Sequence, residues 1–324
     1  MTDRTMSPVR HNRLVRVARL YYLCGMTHQQ IADREGLSRI KVTRLLKEAV
    51  GRKIVRFQIE DPAVQSLEME DSLQRRFGLK EAIVAPTPQE ASGLYDILGR
   101  FAADYLHRRI RDGMIVGLGW GRTLNGMLSH LRPLPGADLT VVSLTGGLAA
   151  NANQPNPYDV VSAAAERLRA APAYPLVPAI VHTAEAKAVL LREKKVREIL
   201  ALWRRLDIAL MSIGAVAPET GFYYSFPNPE REVERVRKLG AVGDLLGKPF
   251  DIQGRPVRAS WPHRTLAIAF ETLAKVPLVV GIAGGEAKVP AILGVLRSGA
   301  LNVLITDERA AERVLRLSEK TQEY

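Results

Sequence analysis

The chain has 324 residues, 47% of them hydrophobic, a single cysteine and a net charge of +12. That length holds one large domain or two, with ample apolar content for a buried core. One cysteine excludes an intrachain disulfide, no apolar run approaches a membrane span, and the polar N-terminus carries no secretory hydrophobic segment, so a soluble, cytoplasmic protein is expected.

The charge is unevenly spread. Residues 1–58 hold 13 Lys and Arg against 4 Asp and Glu, whereas the remaining 266 hold 33 against 30. A small polyanion-binding module joined to a near-neutral body is the expected arrangement. A membrane-surface role is the weaker reading, because the basic segment shows no stripe of exposed large apolar residues.

Residues 1–8 read as disordered. A first helix is predicted from about Val9 to Cys24, with Leu14, Val17, Ala18 and Tyr21 as its apolar face and Gly25 as its stop. Cys24 falls on the buried side of that helix and is expected to be a small core residue. The stretch Thr27 to Val50 then reads as two short helices around a tight turn. Thr27 is a good N-cap with Gln30 as its capping-box partner, Ile31 and Ala32 face inward, and Gly36 suits a left-handed helix end. Leu37 plugs the turn and Ser38 is a second N-cap candidate. Val42, Leu45 and Leu46 form one face of the second helix, an arc of about 100°. Ile40, Thr43, Arg44 and Lys47 form the other, with Arg39 and Lys41 on its flanks. Such a face suits the DNA major groove, where Arg pairs with guanine, Lys and Thr reach phosphates, and Ile40 meets a thymine methyl. A solvated surface hairpin is the competing reading. Ile54–Ile59 alternates like a half-buried strand, which suggests a winged helix-turn-helix with Arg52, Lys53 and Arg56 near phosphates. Glu60-Asp61-Pro62 breaks the pattern. The resulting division is 1–58 for DNA binding, 59–63 as linker and 64–324 as the larger domain.

Beyond residue 64 short apolar runs alternate with helical patterns. Strands are predicted at Ala82–Ala85, Ile115–Leu118, Thr140–Leu144, Ile208–Ile213, Leu278–Ile282 and Val303–Thr306. Helices are predicted at Gly93–Arg111, Asp159–Leu168, Lys194–Leu202, Pro290–Leu296 and Glu308–Leu315. This rhythm implies an α/β fold, a doubly wound, mainly parallel, Rossmann-like sheet. The Pro-rich stretch Asn151–Pro157 reads as a functional loop or lid.

In such a sheet ligands sit beyond the carboxyl ends of the strands, and three glycine-rich turns fall there. Gly117-Leu-Gly119-Trp-Gly121-Arg-Thr123 offers backbone N–H groups, the Thr123 hydroxyl and Arg122 to a phosphate. Its spacing is neither a dinucleotide fingerprint nor a P-loop. Leu144-Thr-Gly146-Gly147 is the second turn. Ile282-Ala-Gly284-Gly285-Glu-Ala-Lys288 is the third, with Lys288 about one turn into a helix and able to pair with phosphate, and Glu286 able to accept from sugar hydroxyls. Tight turns that merely need glycine are the competing reading for each. No catalytic constellation emerges. The six histidines are scattered without metal-ligand spacing, no nucleophile elbow is present, and no metal or cofactor is implied. Asp244, Asp251 and Asp307 are candidates to meet at the sheet edge, with capping as the alternative.

The stretches GLSRIKVTRLLKEA (36–49), GWGRTL (119–124), LTGG (144–147), VGDLLGKPFDIQGRPV (242–257) and GIAGGEAKVPAILGVLRSGALNVLITDE (281–308) resemble the SorC family of sugar-binding bacterial transcriptional regulators. The resemblance covers about Leu14 to Leu315. It implies an N-terminal helix-turn-helix and a C-terminal domain similar to sugar-phosphate isomerases and deaminases, used to sense a phosphorylated sugar or polyol within a homotetramer. By position it assigns Gly119, Gly121 and Thr123 to a phosphate-cradling turn, Gly146 and Gly147 to a second ligand loop, and Lys288 to the lysine after the Gly-Gly turn. Asp244 and Asp307 stand at family-typical positions. Thr145 occupies the place where some members carry a Schiff-base lysine, which argues against a covalent effector link. The expected DNA-contacting set is Ser38, Arg39, Ile40, Lys41, Thr43, Arg44, Lys47 and Lys53. The expected effector set is Gly119, Gly121, Arg122, Thr123, Gly146, Gly147, Asp244, Glu286 and Lys288. A sugar-phosphate isomerase or deaminase with a DNA-binding appendage is the alternative function.

Overall fold

The computed structural model describes residues 7–55, 63–134, 136, 138–148, 156–218, 220 and 222–320. The chain divides into two compact units, Met1–Asp61 and Pro62–Tyr324.

Within the first unit are helices α1 (Pro8–Tyr22), α2 (His28–Glu35) and α3 (Arg39–Gly51). Their starts and stops follow the local chemistry. Ser7, Thr27 and Ser38 are the N-caps, and the Thr27–Gln30 capping box is complete. Gly36 ends α2 at φ 62, a conformation that costs glycine nothing. The three helices close over Leu14, Val17, Leu20, Ile31, Val42, Leu45 and Leu46, with Leu37 packed beside them. Two expectations fail at the end of α1. The helix stops at Tyr22, so Cys24 lies beyond it and is exposed. Tyr21 is also exposed, and Leu20 takes the core position instead. The Tyr21 ring packs edge-on against Tyr22 at 4.9 Å and beside His28 at 5.0 Å. Ile54 and Val55 pack against the same core, but the rest of the predicted wing strand, Arg56 and the linker's residues 59–62 lie outside the described residues.

The second unit begins with α4 (Ala63–Phe77), β1 (Glu81–Ala85) and α5 (Leu94–Arg109). It continues with β2 (Ile115–Leu118), α6 (Arg122–Leu128), β3 (Thr140–Ser143), α7 (Pro157–Leu168) and β4 (Ala171–Ala173). Next come α8 (Ala184–Leu190), α9 (Lys194–Trp203), β5 (Ile208–Ser212), β6 (Gly214–Ala215), α10 (Pro229–Lys238), β7 (Ala241–Leu245) and β8 (Lys248–Asp251). It closes with α11 (Phe270–Leu273), β9 (Leu278–Ile282), α12 (Val289–Ser298), β10 (Val303–Asp307) and α13 (Glu308–Lys320). Each of the six expected strands is present, with ends displaced by a residue at most.

Seven strands form one parallel sheet in the order β1-β10-β9-β5-β2-β3-β4. Successive residues along each strand feed opposite faces. In β5, Ile208 and Leu210 face the core that holds α5, α6 and α7, while Ala209 and Met211 face the core that holds α4, α9, α12 and α13. This is the doubly wound arrangement read from the sequence.

The order contains one reversal that matters. From β2 the chain moves outward to β3 and β4, then returns to place β5 on the other side of β2. A crevice opens at the carboxyl ends of strands where the winding direction switches. Between β5 and β9 the chain also inserts a three-stranded antiparallel sheet, β6-β7-β8. The β7–β8 hairpin turns on Leu246 and Gly247, both at positive φ (53° and 74°), as a two-residue hairpin turn requires. Of the predicted loop at 151–157, residues 151–155 lie outside the described residues. Asn156 caps α7 through Tyr158 N, and Pro157 is its first residue.

Candidate functional site

The crevice at the β2–β5 switch point is a real cleft. It encloses about 520 Å³, the open mouth included. The turn after β2 supplies Trp120, Gly121 and Arg122; the end of β5 and the residues beyond it supply Ser212, Ile213, Gly214 and Ala215. Thr220 and Phe222 form another wall, the β7–β8 hairpin gives Asp244 and Leu246, and Lys288 comes from the turn after β9.

Gly121 shows why this turn needs glycine. Its φ is 133°, and a Cβ there would stand 2.7 Å from Ser212 Oγ. The Ser212 hydroxyl is buried and has no hydrogen-bond partner among the described residues, an unusual state for a polar group. Trp120 and Phe222 bring their rings to 6.5 Å, giving the cleft an apolar side.

Three charged groups set its electrostatics. The Asp244 side chain is buried, and its Oδ2 accepts from Gly247 N at 3.0 Å. Burial raises its pKa to about 6, against the opposing pull of that N–H and of Lys288. Lys288 is half-buried. Burial, helped by the Arg122 charge, brings it down to about 8, with Asp244 pulling the other way. Arg122 lies with Cζ 4.5 Å over the Tyr95 ring. Two cations therefore face one reluctant carboxylate, an arrangement that favours an anionic ligand carrying hydroxyls.

The predicted effector residues separate. Gly121, Arg122, Asp244 and Lys288 meet in the cleft. Lys288 precedes α12 rather than sitting a turn inside it, because a 3-10 turn at Glu286–Lys288 comes first. Gly119 and Thr123 support the same turn from below: Gly119 N donates to Leu210 O at 2.8 Å, and Thr123 is buried. Gly146 and Gly147 do not line the cleft. A Cβ on Gly146 would lie 2.6 Å from the Pro178 and Ala179 backbone, so this glycine serves a close approach between chain segments. Glu286 points elsewhere and pairs with Arg313 at 2.9 Å. Asp244, Asp251 and Asp307 do not converge. Asp251 accepts from Gln253 N and Arg255 N, and Asp307 from Gly285 N, Thr87 Oγ1 and Ala310 N. Both are turn and cap residues. The sequence reading missed Ser212, Thr220 and Phe222, which carry no motif, and Leu246, which lies in the 242–257 stretch; all reach the cleft only through the tertiary fold.

In the N-terminal unit, Ser38, Arg39, Ile40, Lys41, Arg44 and Lys47 are all exposed on or just before α3, and Ile40 is 81% exposed. Among the described residues none of the four cations forms an ion pair. Thr43 differs from expectation. It is half-buried, with its hydroxyl 3.1 Å from Arg39 O and 3.2 Å from His28 Nδ1, so it joins α3 to α2. Arg52 pairs with Glu48 at 2.9 Å. Lys53 is exposed at φ 58.

A family model described as "Putative sugar-binding domain" matches residues 61–316. The chain is 34% identical over 304 residues to the erythritol catabolism regulatory protein EryD of Brucella abortus (strain 2308), covering 93% of this chain and 95% of that one. It is 34% identical over 311 residues to the transcriptional regulator LsrR of Klebsiella pneumoniae, covering 94% and 93%. The chain belongs to the SorC family of sugar-binding transcriptional regulators. The crystal structure of the full-length sorbitol operon regulator SorC from Klebsiella pneumoniae superposes with a TM-score of 0.72 at 28% identity, covering 96% of this chain and 100% of that one. For a SorC-family member, an α/β sugar-binding body with a helical N-terminal unit is the fold that the chain adopts. No described helix is long and apolar enough to cross a membrane.

Proposed function

We propose that this SorC-family protein is a cytoplasmic regulator of a carbohydrate or polyol catabolic operon, and that a small phosphorylated sugar or polyol in the switch-point cleft controls its grip on operator DNA. The observation that carries this reading is the meeting of Arg122, Lys288 and Asp244 in one cleft. The two cations suit a phosphate, the carboxylate suits hydroxyl donors, and Trp120 and Phe222 suit a sugar's C–H face. Residues 1–58 are the DNA-binding part, 59–63 the linker and 64–324 the effector and assembly part. Arg39, Lys41, Arg44 and Lys47 meet the duplex, Ile40 a thymine methyl, and Ser38 and Lys53 the phosphates. Thr43 serves mainly to fix α3 on α2. One such module reads few bases, so specificity requires paired copies, for which a homotetramer is the proposed form. Ligand binding then shifts the population of tetramer geometries.

We read the protein as a sensor rather than an enzyme. Isomerase or deaminase chemistry needs a positioned acid–base pair. None of the six histidines lines the cleft, and Asp244 and Lys288 make no ion pair among the described residues. Gel shift against the gene's own upstream DNA, with and without a panel of C4–C6 sugar and polyol monophosphates, tests the proposal. Binding should exceed that to random duplex at moderate salt and change with at least one ligand. Equal affinity for random duplex sinks it, and steady turnover of any panel member favours the enzyme.

A further inference from the structure

A second cavity lies between α8, α9 and the stretch Leu266–Thr272, and it shares no lining residue with the switch-point cleft. It encloses about 740 Å³, its mouth included. Its walls are Leu191, Val196, Ile199, Leu200 and Trp203. Lys187 and Arg204 are the charged residues among those lining it, and no carboxylate lines it.

Neither the Lys187 nor the Arg204 side chain makes a hydrogen bond or ion pair among the described residues. Lys187 is half-buried, and burial pulls its pKa down. Lys248 adds to the same field. It too is half-buried. Its Nζ donates to Ile268 O and stands 4.5 Å over the Phe270 ring. Burial and the Lys187 charge bring it to about 8, and exposed Glu271 is the carboxylate that opposes this. A lysine whose stem merely lay along a wet surface would keep its head in water. Lys187 instead stands half-buried, with no ion pair among the described residues, at the rim of a mainly apolar chamber where an anion would be favoured.

We propose that this cavity is a second small-molecule site, for an amphipathic anion with one carboxylate and an apolar tail of about five to eight carbons. The carboxylate meets Lys187 and Arg204, and the tail lies along Val196, Ile199 and Trp203. The mainly apolar walls disfavour a bare phosphate or a sugar, most of whose hydroxyls would go unpaired there. The site also abuts a structural joint. Leu266 lines the cavity, and its carbonyl accepts from both Gly146 N and the Thr145 hydroxyl at 2.9 Å. An occupant therefore touches the segment that holds the loop after β3.

The test uses the full chain and measures thermal unfolding and calorimetric binding with hexanoate, 1-hexanol, hexylamine and inorganic phosphate. Hexanoate should raise Tm with the logarithm of its concentration, by about 3 °C at ten times its dissociation constant, while the other three do far less. Lys187→Met and Arg204→Gln should each remove most of that rise, and Asp244→Asn, which alters the other cleft, should leave it intact. The proposal is overturned by hexanol matching hexanoate, or by both charge variants responding as the parent does. Val189 and Leu176 are 59% and 69% exposed on α8 and beside Pro175, so sedimentation is run alongside. Conversion to a smaller species by hexanoate would make a second copy of the chain the natural occupant and would also overturn the proposal. Failure of sugar phosphates to bind bears only on the switch-point cleft and leaves this test unaffected.

Discussion

Asp244 and Lys288 are each held in a charge state that the empty cleft resists. For Asp244 the folded value, about 6, lies above the ordinary carboxylate value of 3.8. The folded state thus binds more protons, and stability falls as pH rises between those values. For Lys288 the folded value, about 8, lies below 10.5, so stability rises as pH climbs through that window. Between about 6 and 8 both groups carry charge at a cost, and a ligand that pairs with both recovers it. Affinity for an active sugar phosphate, measured by calorimetry across pH, should therefore peak between about 6 and 8. It should fall on the alkaline side as Lys288 loses its proton and on the acid side as Asp244 gains one. Asp244→Asn should flatten the acid limb, apart from what the ligand's own phosphate contributes. Lys288→Met should raise the Tm of the empty protein while abolishing the ligand's effect on it, the usual opposition between stability and a strained site. A Lys288→Met protein that binds normally would remove Lys288 from the effector set.

At the level of elements, α2 and α3 are set by their own caps, whereas the hairpin that carries Asp244 is set by its surroundings. Thr27→Ala removes one half of a complete capping box and should cost about 1 kcal/mol in chemical unfolding. On α3, Arg44→Ala should cost on the order of 1–3 kcal/mol on cognate DNA and relax specificity, while Lys53→Ala should weaken all duplexes about equally. Quantitative gel shifts on matched and scrambled sites separate the two effects. The β7–β8 turn is built differently. Leu246 occupies the left-handed region and is 3% exposed, with its side chain in the cleft wall. A leucine in that conformation stores backbone strain, as residues at binding sites often do. Beside it, a Cβ on Gly247 would meet the Phe222 ring at 2.3 Å. Gly247→Ala should therefore destabilise the protein by roughly 1–3 kcal/mol and weaken effector binding with it, since Gly247 N is the hydrogen-bond donor to Asp244.

For the whole molecule, the charge division separates two tasks. On the proposed reading the basic N-terminal unit meets a polyanion, and its affinity should fall steeply with salt, with a slope set by the number of phosphates neutralised. The near-neutral body provides the cleft at the point where its sheet changes winding direction. That point needs strands far apart in the chain. Residue 121 follows β2, residue 212 ends β5, residue 244 sits in an inserted hairpin and residue 288 follows β9.

The helices and the parallel strands were legible because their signals are local. N-caps, a terminal glycine and a period of 3.6 or 2 repeat within a few residues, and Ile31, Val42 and Leu45 are buried where the pattern placed them. The second sheet left no such trace. A two-residue hairpin usually advertises itself as Asn-Gly or Asp-Gly, but here the turn is Leu246-Gly247, and packing against Phe222 rather than turn chemistry holds it. Cys24 went astray for a related reason: α1 stops at Tyr22, ahead of the turn at Gly25, and leaves Cys24 outside the helix and exposed. The same limit governs the site. Four of the nine expected effector residues line the cleft, and Gly146, Gly147 and Glu286 do not, because glycine-rich turns mark any place where backbones must pass closely. Chain order alone thus dictated a basic three-helix unit and a parallel α/β body, since both follow from short-range periodicity and charge. Which glycine turn faces a ligand, and that Ser212, Phe222 and Asp244 join it, depended on strand order and an inserted hairpin, which only long-range packing sets.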